Sequence, residues 1–478
     1  MNQQAFNPYL PNWEYVPDAE PYVFGDRVYV FGSHDAFAGK HFCPNDYVLW
    51  SAPVDDLSDW KKEGIIYRTS QDPDAKKNSF MQAPDVVQGL DGRYYLYYTL
   101  KLTPFMSVAV SDNITGPYEY YGRVRLPNGH VIGSKRKDLF QFDPGLFRDE
   151  DGKCWLYSGF SPRRSGLFGI FTRQYKMDGA YVMELGEDML TVKSGPKFLI
   201  PGPDASQGTG FEGHEFYEAS SMRKIDGKYY FIYSSILSHE LCYAVSDKPD
   251  GGFRYGGTVV SIGDVGYQSH EWSLNYLGNT HGSLVKIKGQ WYVFYHRQTN
   301  ANMFSRQGCA ERIAILEDGT IPQVEVTSCG LNSGPLNGKG EYSSHIACNL
   351  MGAEGTYVYD QFHKPGWKKH PYFTQTGGDR EDHPDQYIAN MTDGAVAGFK
   401  YFDIQALKRI AVKVGGTGRG VMQVKTSLDG RVLAEIPVSA NQFRSWFQSV
   451  CSVPDGVHAL YFRFCGEGSI DFHAFELV

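Results

Sequence analysis

Five polar residues stand at matching places along the first 300 residues of this chain: Asp18, Asp85, Asp143, Glu218 and His281. Each leads a short apolar run, a glycine-containing turn and a second run rich in aromatic residues, as in "EASSMRKIDGKYYFIYSS" from Glu218. The residues just after the turns are Arg27, Arg93, Lys153, Lys228 and Gln290, at offsets of 9, 8, 10, 10 and 9 from the leaders. The leaders lie 67, 58, 75 and 63 residues apart. A lone acid before a strand is ordinarily a solvated residue or a turn cap, and Asp91, Asp151 and Asp226 in the turns keep that role. A phased set is different, because a turn-former need not recur at one place in every repeat. Carboxyl groups gathered in one pocket perturb one another, and this separates their pKa values into acid and base roles. Two carboxyl groups facing a neutral, polyhydroxylated substrate are the equipment of glycoside hydrolysis.

The repeats must position these groups. Asp-Gly between apolar, β-rich runs is a hairpin signal, and the runs are continuous or alternate by two rather than by 3.6. Five hairpins, with room between them for two more strands each, predict a five-bladed β-propeller in which equivalent residues converge on the central channel. All five leaders are therefore expected around one pocket.

Composition narrows the partners. The chain has 478 residues, a formal charge of -8 and a pI near 6.0, so it has no basic field to hold nucleic acid. Aromatic residues make up 15%, with 33 Tyr, suited to strands and to stacking on sugar rings. No apolar run approaches the roughly 18 residues of a membrane span, and the N-terminus lacks the basic and apolar regions of a signal peptide. Eight scattered cysteines without a CxxC pair point to reduced thiols, hence a cytoplasmic protein. The P-loop, the G-x-S-x-G elbow and the HExxH helix are missing, and with them the usual nucleotide, esterase and zinc-protease routes.

Several motifs in order carry a resemblance to glycoside hydrolase family 43 over about residues 7 to 320: "NPYLPNWEYVPDAEP", "APDV" at 83–86, "FDPGLF" at 142–147, the Glu218 segment, "THGS" at 280–283 and "YHR" at 295–297. The resemblance implies an exo-acting, inverting enzyme that removes α-L-arabinofuranosyl or β-D-xylosyl units. Asp18 is then the general base, Glu218 the general acid, and Asp143 the carboxylate that holds up the acid's pKa and orients it. An inverting pair leaves roughly 6.5–9.5 Å between its carboxyls for the water. His281 resembles a channel histidine that contacts the sugar or a central calcium ion or its waters; the alternative is a hydrogen-bonded core histidine. Arg306 resembles an arginine that binds the terminal sugar, against a surface ion pair. Phe142 is read as an apolar wall or as strand packing, and His34, Asp35 and Asp85 as further sugar contacts. Many members have Trp where this chain has Gln82, which alters the stacking wall. The rivals are a propeller fructosidase or another furanosidase, and a sugar-binding propeller without catalysis. "VPDAEP" and "QFDPGL" depart from the fructosidase pattern.

Residues 1–324 are assigned to the propeller and 325–344, rich in Gly, Ser and Asn, to a linker. Beyond, short strands such as "RIAVKVGG" and "SIDFHAFELV" predict a β-sandwich over 345–478. The closing "GSIDFHAFEL" resembles a family 6 carbohydrate-binding module. In such modules glutamates near the start bind calcium; Ile346-Ala347-Cys348-Asn349 stand at that place here, leaving Asp471 alone.

Overall fold

The computed structural model describes residues 4–101, 103–163, 174–359, 370–379, 385–441 and 443–478. The described elements are strands and three short 3-10 turns, in keeping with the all-β expectation. Among the described residues no helix is long and apolar enough to cross a membrane.

Residues 20–313 form five antiparallel sheets, each built from consecutive strands. The first contains Glu20–Phe24, Arg27–Phe31, Tyr47–Pro53 and Lys61–Tyr67. The second starts at Met81–Gln88, the third at Gly145–Arg148 and the fourth at Phe216–Ile225. The fifth has three strands, Leu284–Ile287, Gln290–Gln298 and Arg306–Ile313. The hairpin turns follow the sequence signal. Asp226 (φ 49°) and Gly227 (φ 80°) are both left-handed, and Ile225 pairs with Lys228, as a tight primed turn requires.

Apolar packing closes these sheets into a ring. Phe31, Leu49, Val86 and Leu96 join the first sheet to the second, and Tyr97, Val108, Leu156 and Met183 join the second to the third. Tyr157, Val182, Phe231 and Tyr233 join the third to the fourth, and Ile232, Tyr243, Val293 and Tyr295 the fourth to the fifth. Val28, Val30, Trp50, Tyr292 and Phe294 join the fifth back to the first. Fully burying one such side chain stabilises by about 1.5–3 kcal/mol, so the interleaved faces hold the ring. Where the first and fifth sheets meet, Ala19 bridges Gly282 in parallel. The Asn7 side chain ties the N-terminal segment to Ala310 and Glu311 of the last strand.

Among the described residues, the C-terminal region has two six-stranded sheets. Val396–Ile404 and Gly456–Glu467 run through one, and Ile470–Leu477 and Arg409–Gly416 through the other. Phe399, Phe462, Phe472 and Phe475 from both sheets share one core. The stretch 325–344 is tied in at both ends. Val326 lies in the core between the fourth and fifth sheets, Glu325 pairs with Lys400 at 2.9 Å, and Leu336–Asn337 and Gly340–Ser343 are strands of the C-terminal sheets. Its glycines make turns between anchored points. Asp471 accepts the Asn390 N–H at 3.1 Å, while Ala347 lies against the ring, its carbonyl accepting from Arg297 at 2.9 Å.

Candidate active site

The innermost strands of four sheets begin with a backbone irregularity. Asp18 (φ 58°), Ala83 (φ 29°), Asp143 (φ 45°) and Ala219 (φ 69°) all have positive φ. In the second and fourth sheets the register slips by one residue there, between Gln82 and Asp85 and between Glu218 and Ser221. Such bulges re-aim side chains and recur beside active sites. Here they turn Asp18, Asp143 and the residue preceding Ala219, which is Glu218, into a cavity of about 270 Å³ that His281 and Arg306 also line.

The bulge also explains the placement of Asp85. Counted from the bulge, Asp18 corresponds to Ala83, so Asp85 corresponds to Glu20, two residues further along the strand. Asp85 does not line the cavity. It is fully buried, accepting from Tyr22 Oη and the Leu146 N–H, each at 2.6 Å. Around it lie Glu20, paired with Arg223 at 2.9 Å, and Ser221, which bonds to Glu20 and to Ser283. The spacing of 8 after Asp85, shortest of the five, was the trace of this shift. Five leaders at one level therefore become two levels, Asp18, Asp143, Glu218 and His281 above and Asp85 below.

His34 and Asp35 also stand behind the cavity wall. His34 is held by Glu14 at 2.9 Å and by the Asp46 carbonyl at 2.8 Å. Asp35 grips Arg306 in a two-pronged pair of 2.8 and 3.1 Å, which aims Arg306 Nη1 at Asp18 Oδ1, 2.8 Å away. Arg306 is buried, not part of a surface pair. Phe142 lines the cavity with Phe160 and Tyr217 as an aromatic wall, ring centres 5.1 and 5.3 Å apart. Gln82 lines it too.

Electrostatics separate the carboxyls. Burial would raise Asp18, but Arg306, then His296 and His281, outweigh it, and its pKa lies below the usual value. Burial and the charge on Asp18 push Glu218 up to about 8. Burial and the neighbouring Glu218 and Asp18 raise Asp143 well above the ordinary range. Asp143 Oδ2 accepts the Ala219 N–H at 3.1 Å, steadying the backbone next to Glu218. His281 Nδ1 lies 3.6 Å from Asp143 and 4.0 Å from Asp18, and burial lowers its pKa to about 4.

Sequence reasoning named no role for His296, although it quoted "YHR". His296 Nδ1 accepts the Asp18 N–H at 3.3 Å, and Nε2 donates to the Asn279 carbonyl at 2.9 Å. The signal was the change from an apolar, aromatic run to the buried polar residues His296, Arg297 and Gln298 in "QWYVFYHRQ".

The protein donors beside His281 do not by themselves complete a calcium site, and an ion there would take most of its ligands from water. Calcium takes six to eight oxygen ligands. The buried atoms left without a partner on the channel wall include one imidazole nitrogen, His281 Nε2, and one carboxylate oxygen, Glu20 Oε1, and Arg223 already supplies positive charge to Glu20. Elsewhere His214, Glu240 and Cys242 cluster, but Glu240 is engaged by His214, Ser235 and Thr258.

A depressed carboxyl and a raised one face a cavity on an all-β ring, the pairing that acid–base hydrolysis uses. Comparison with known proteins gives the family. Residues 14–321 match the model for glycosyl hydrolases family 43. A xylosidase/arabinosidase of Thermoclostridium stercorarium is 51% identical over 100% of this chain and 99% of its own. One from Bacteroides ovatus is 31% identical over 60% of this chain and 87% of its own. Among solved structures, an arabinoxylan arabinofuranohydrolase from Bacillus subtilis, in complex with cellotetraose, superposes with a TM-score of 0.52. It covers 99% of this chain and 97% of its own at 20% identity, a likeness of fold alone. A β-xylosidase, 26% identical, covers 68% of this chain and 99% of its own with a TM-score of 0.52. The chain belongs to glycosyl hydrolase family 43.

Proposed function

We propose that this protein is an exo-acting, inverting hydrolase that releases α-L-arabinofuranosyl or β-D-xylosyl units from oligosaccharides derived from xylan and related hemicelluloses. The observation that carries this is the opposed shift of Asp18 and Glu218 across one small cavity. Asp18, ionised and held by Arg306, takes a proton from the attacking water. Glu218, about nine-tenths protonated at pH 7 with a pKa near 8, gives its proton to the leaving oxygen. Asp143 anchors the acid's backbone, and its charge, when present, opposes ionisation of Glu218. The chemistry uses side chains alone. The full-length likeness to a xylosidase/arabinosidase supports the choice of pentosides.

In the same reading the five sheets are the blades of a five-bladed β-propeller spanning 1–324, and 345–478 is a β-sandwich joined to it through 325–344. The resemblance of the latter to a family 6 carbohydrate-binding module is kept as part of the proposal, as is a cytoplasmic location, supported by eight unpaired cysteines.

The test is twofold. Initial rates on nitrophenyl α-L-arabinofuranoside and nitrophenyl β-D-xyloside are expected to show turnover of at least one, and their ratio names the preferred sugar. Proton NMR of fresh product is expected to show the inverted anomer first. Retention contradicts the assignment of Asp18 as base, and no turnover of either substrate favours a sugar-binding propeller.

A further inference from the structure

One wall of the cavity is made by two loops, residues 36–43 and 299–305, which contribute Phe42, Cys43 and Met303. Both loops are strained. Ala38 (φ 49°) and Cys43 (φ 55°) in the first, and Asn300 (φ 54°) and Ala301 (φ 49°) in the second, are non-glycine residues in the left-handed region. Such residues persist only where their surroundings hold them. Part of the hold is mutual. Ser305 Oγ donates to the Ala36 carbonyl at 2.8 Å and accepts the Gly39 N–H at 3.1 Å, and Phe42 packs edge-on against Phe304 at 4.7 Å.

The rest comes from the C-terminal sheets. The Phe37 N–H donates to Asp379 Oδ1 at 2.7 Å, and Tyr15, whose ring lies near Phe37, donates its hydroxyl to Gln375 Oε1 at 2.6 Å. The Asn300 N–H donates to the Phe373 carbonyl at 2.7 Å, and Thr374 Oγ1 donates to Asn300 Oδ1 at 3.0 Å. Arg297 stacks over Phe373 at 3.9 Å. Met303 lines the cavity while packing against the core of the C-terminal sheets.

We propose that the segment Phe373–Asp379 is a positioning element of the active site: it holds the two loops in the shape that receives the sugar. The C-terminal region then helps set which pentoside the cavity accepts, whether or not its own surface binds carbohydrate. This rests on the proposed function for the identity of the substrate, but not for the mechanical claim. Asp379 acts through Phe37 and the loop, not on the reacting atoms. Losing its acceptor leaves a backbone N–H unpaired, an effect of roughly three- to tenfold on binding.

The experiment compares full-length wild type with Asp379→Ala, Asp379→Asn and Gln375→Ala by hydrogen exchange and by steady-state kinetics on the two nitrophenyl pentosides. Asp379→Ala is expected to speed amide exchange in peptides covering 36–43 and 299–305 and to raise KM roughly three- to tenfold, with kcat within about twofold. Asp379→Asn, which keeps an acceptor, is expected to restore most of both, and Gln375→Ala to act in the same direction as Asp379→Ala. Unchanged exchange in both loops in Asp379→Ala and Gln375→Ala overturns the proposal, as does unchanged KM in an active enzyme. A wild type inert toward both pentosides counts against the proposed function alone, since the exchange result still decides the role of the segment.

Discussion

Two levels of the same four inner strands make the instructive comparison. Where these strands begin, Asp18, Asp143 and Glu218 face a cavity, and their pKa values are driven apart. Two residues further along lie the buried Glu20, Asp85 and Ser221 and their partly buried neighbour Arg223, largely paired with one another, with Tyr22 and with backbone. Both levels contain acids without full solvation. The upper one leaves carboxyl edges open to a ligand, whereas the lower one closes them with an internal guanidinium and hydroxyls. Ionisable groups in the centre of a ring are therefore not functional by location alone. What distinguishes the upper level is the bulge, which aims side chains into space that a sugar can fill.

Replacing Glu218 by Gln, or Asp18 by Asn, sets the largest expected difference between the levels. Each is expected to lower kcat about a thousandfold, within the usual range for losing a general acid or base, with little change in thermal unfolding. Arg223→Met in the lower level reverses the pattern. It leaves Glu20 unpaired and is expected to cost about 3–5 kcal/mol of stability in urea titration, while the remaining folded enzyme keeps kcat within several-fold. A large fall in kcat with unchanged stability breaks the distinction.

Arg306→Lys tests the electrostatics of the upper level. Arg306 lowers the pKa of both Asp18 and Glu218, so loosening its grip lets both rise. The acidic limb, set by ionisation of Asp18, and the alkaline limb, set by deprotonation of Glu218, are both expected to move to higher pH in a kcat/KM profile. A shift of either limb to lower pH contradicts the assignment. The smallest effect is expected from Asp85→Asn. Burial, then Glu20, raises the Asp85 pKa well above the usual value, and the amide is close to isosteric with the carboxyl group. Stability within about 1 kcal/mol and kcat/KM within about twofold are expected, measured by urea unfolding and initial rates. A hundredfold loss of activity would restore Asp85 to the sugar site.

Much of this arrangement was legible before the structure. Phased hairpins announced the successive sheets, and the convergence of Asp18, Asp143, Glu218 and His281 on one cavity follows from that phase, whereas Arg306 was named from the family resemblance. Asp85 was misplaced because periodic patterns report the level of a strand only to within a residue or two, and Asp85 stands two positions beyond Ala83, the counterpart of Asp18. The role of Asp35 in holding Arg306 was hidden because the partners are 271 residues apart and share no repeat. The contacts of Phe373–Asp379 with the cavity loops were equally silent, since they join the end of a distant strand and the turn after it to strained turns. The Gly- and Ser-rich stretch at 325–344 resembled a linker because tight anchored turns and free chain use the same residues.

The central claim is that Glu218, held protonated near neutral pH, is the acid opposite an ionised Asp18. It is tested most directly by the pH dependence of kcat/KM on the preferred nitrophenyl pentoside, for wild type and Glu218→Gln side by side. The account predicts a bell with an alkaline limb near 8 in the wild type, and in the variant a rate about a thousandfold lower with that limb gone. A variant that keeps the wild-type rate, or keeps the alkaline limb in its residual activity, assigns the acid to another group and contradicts the account.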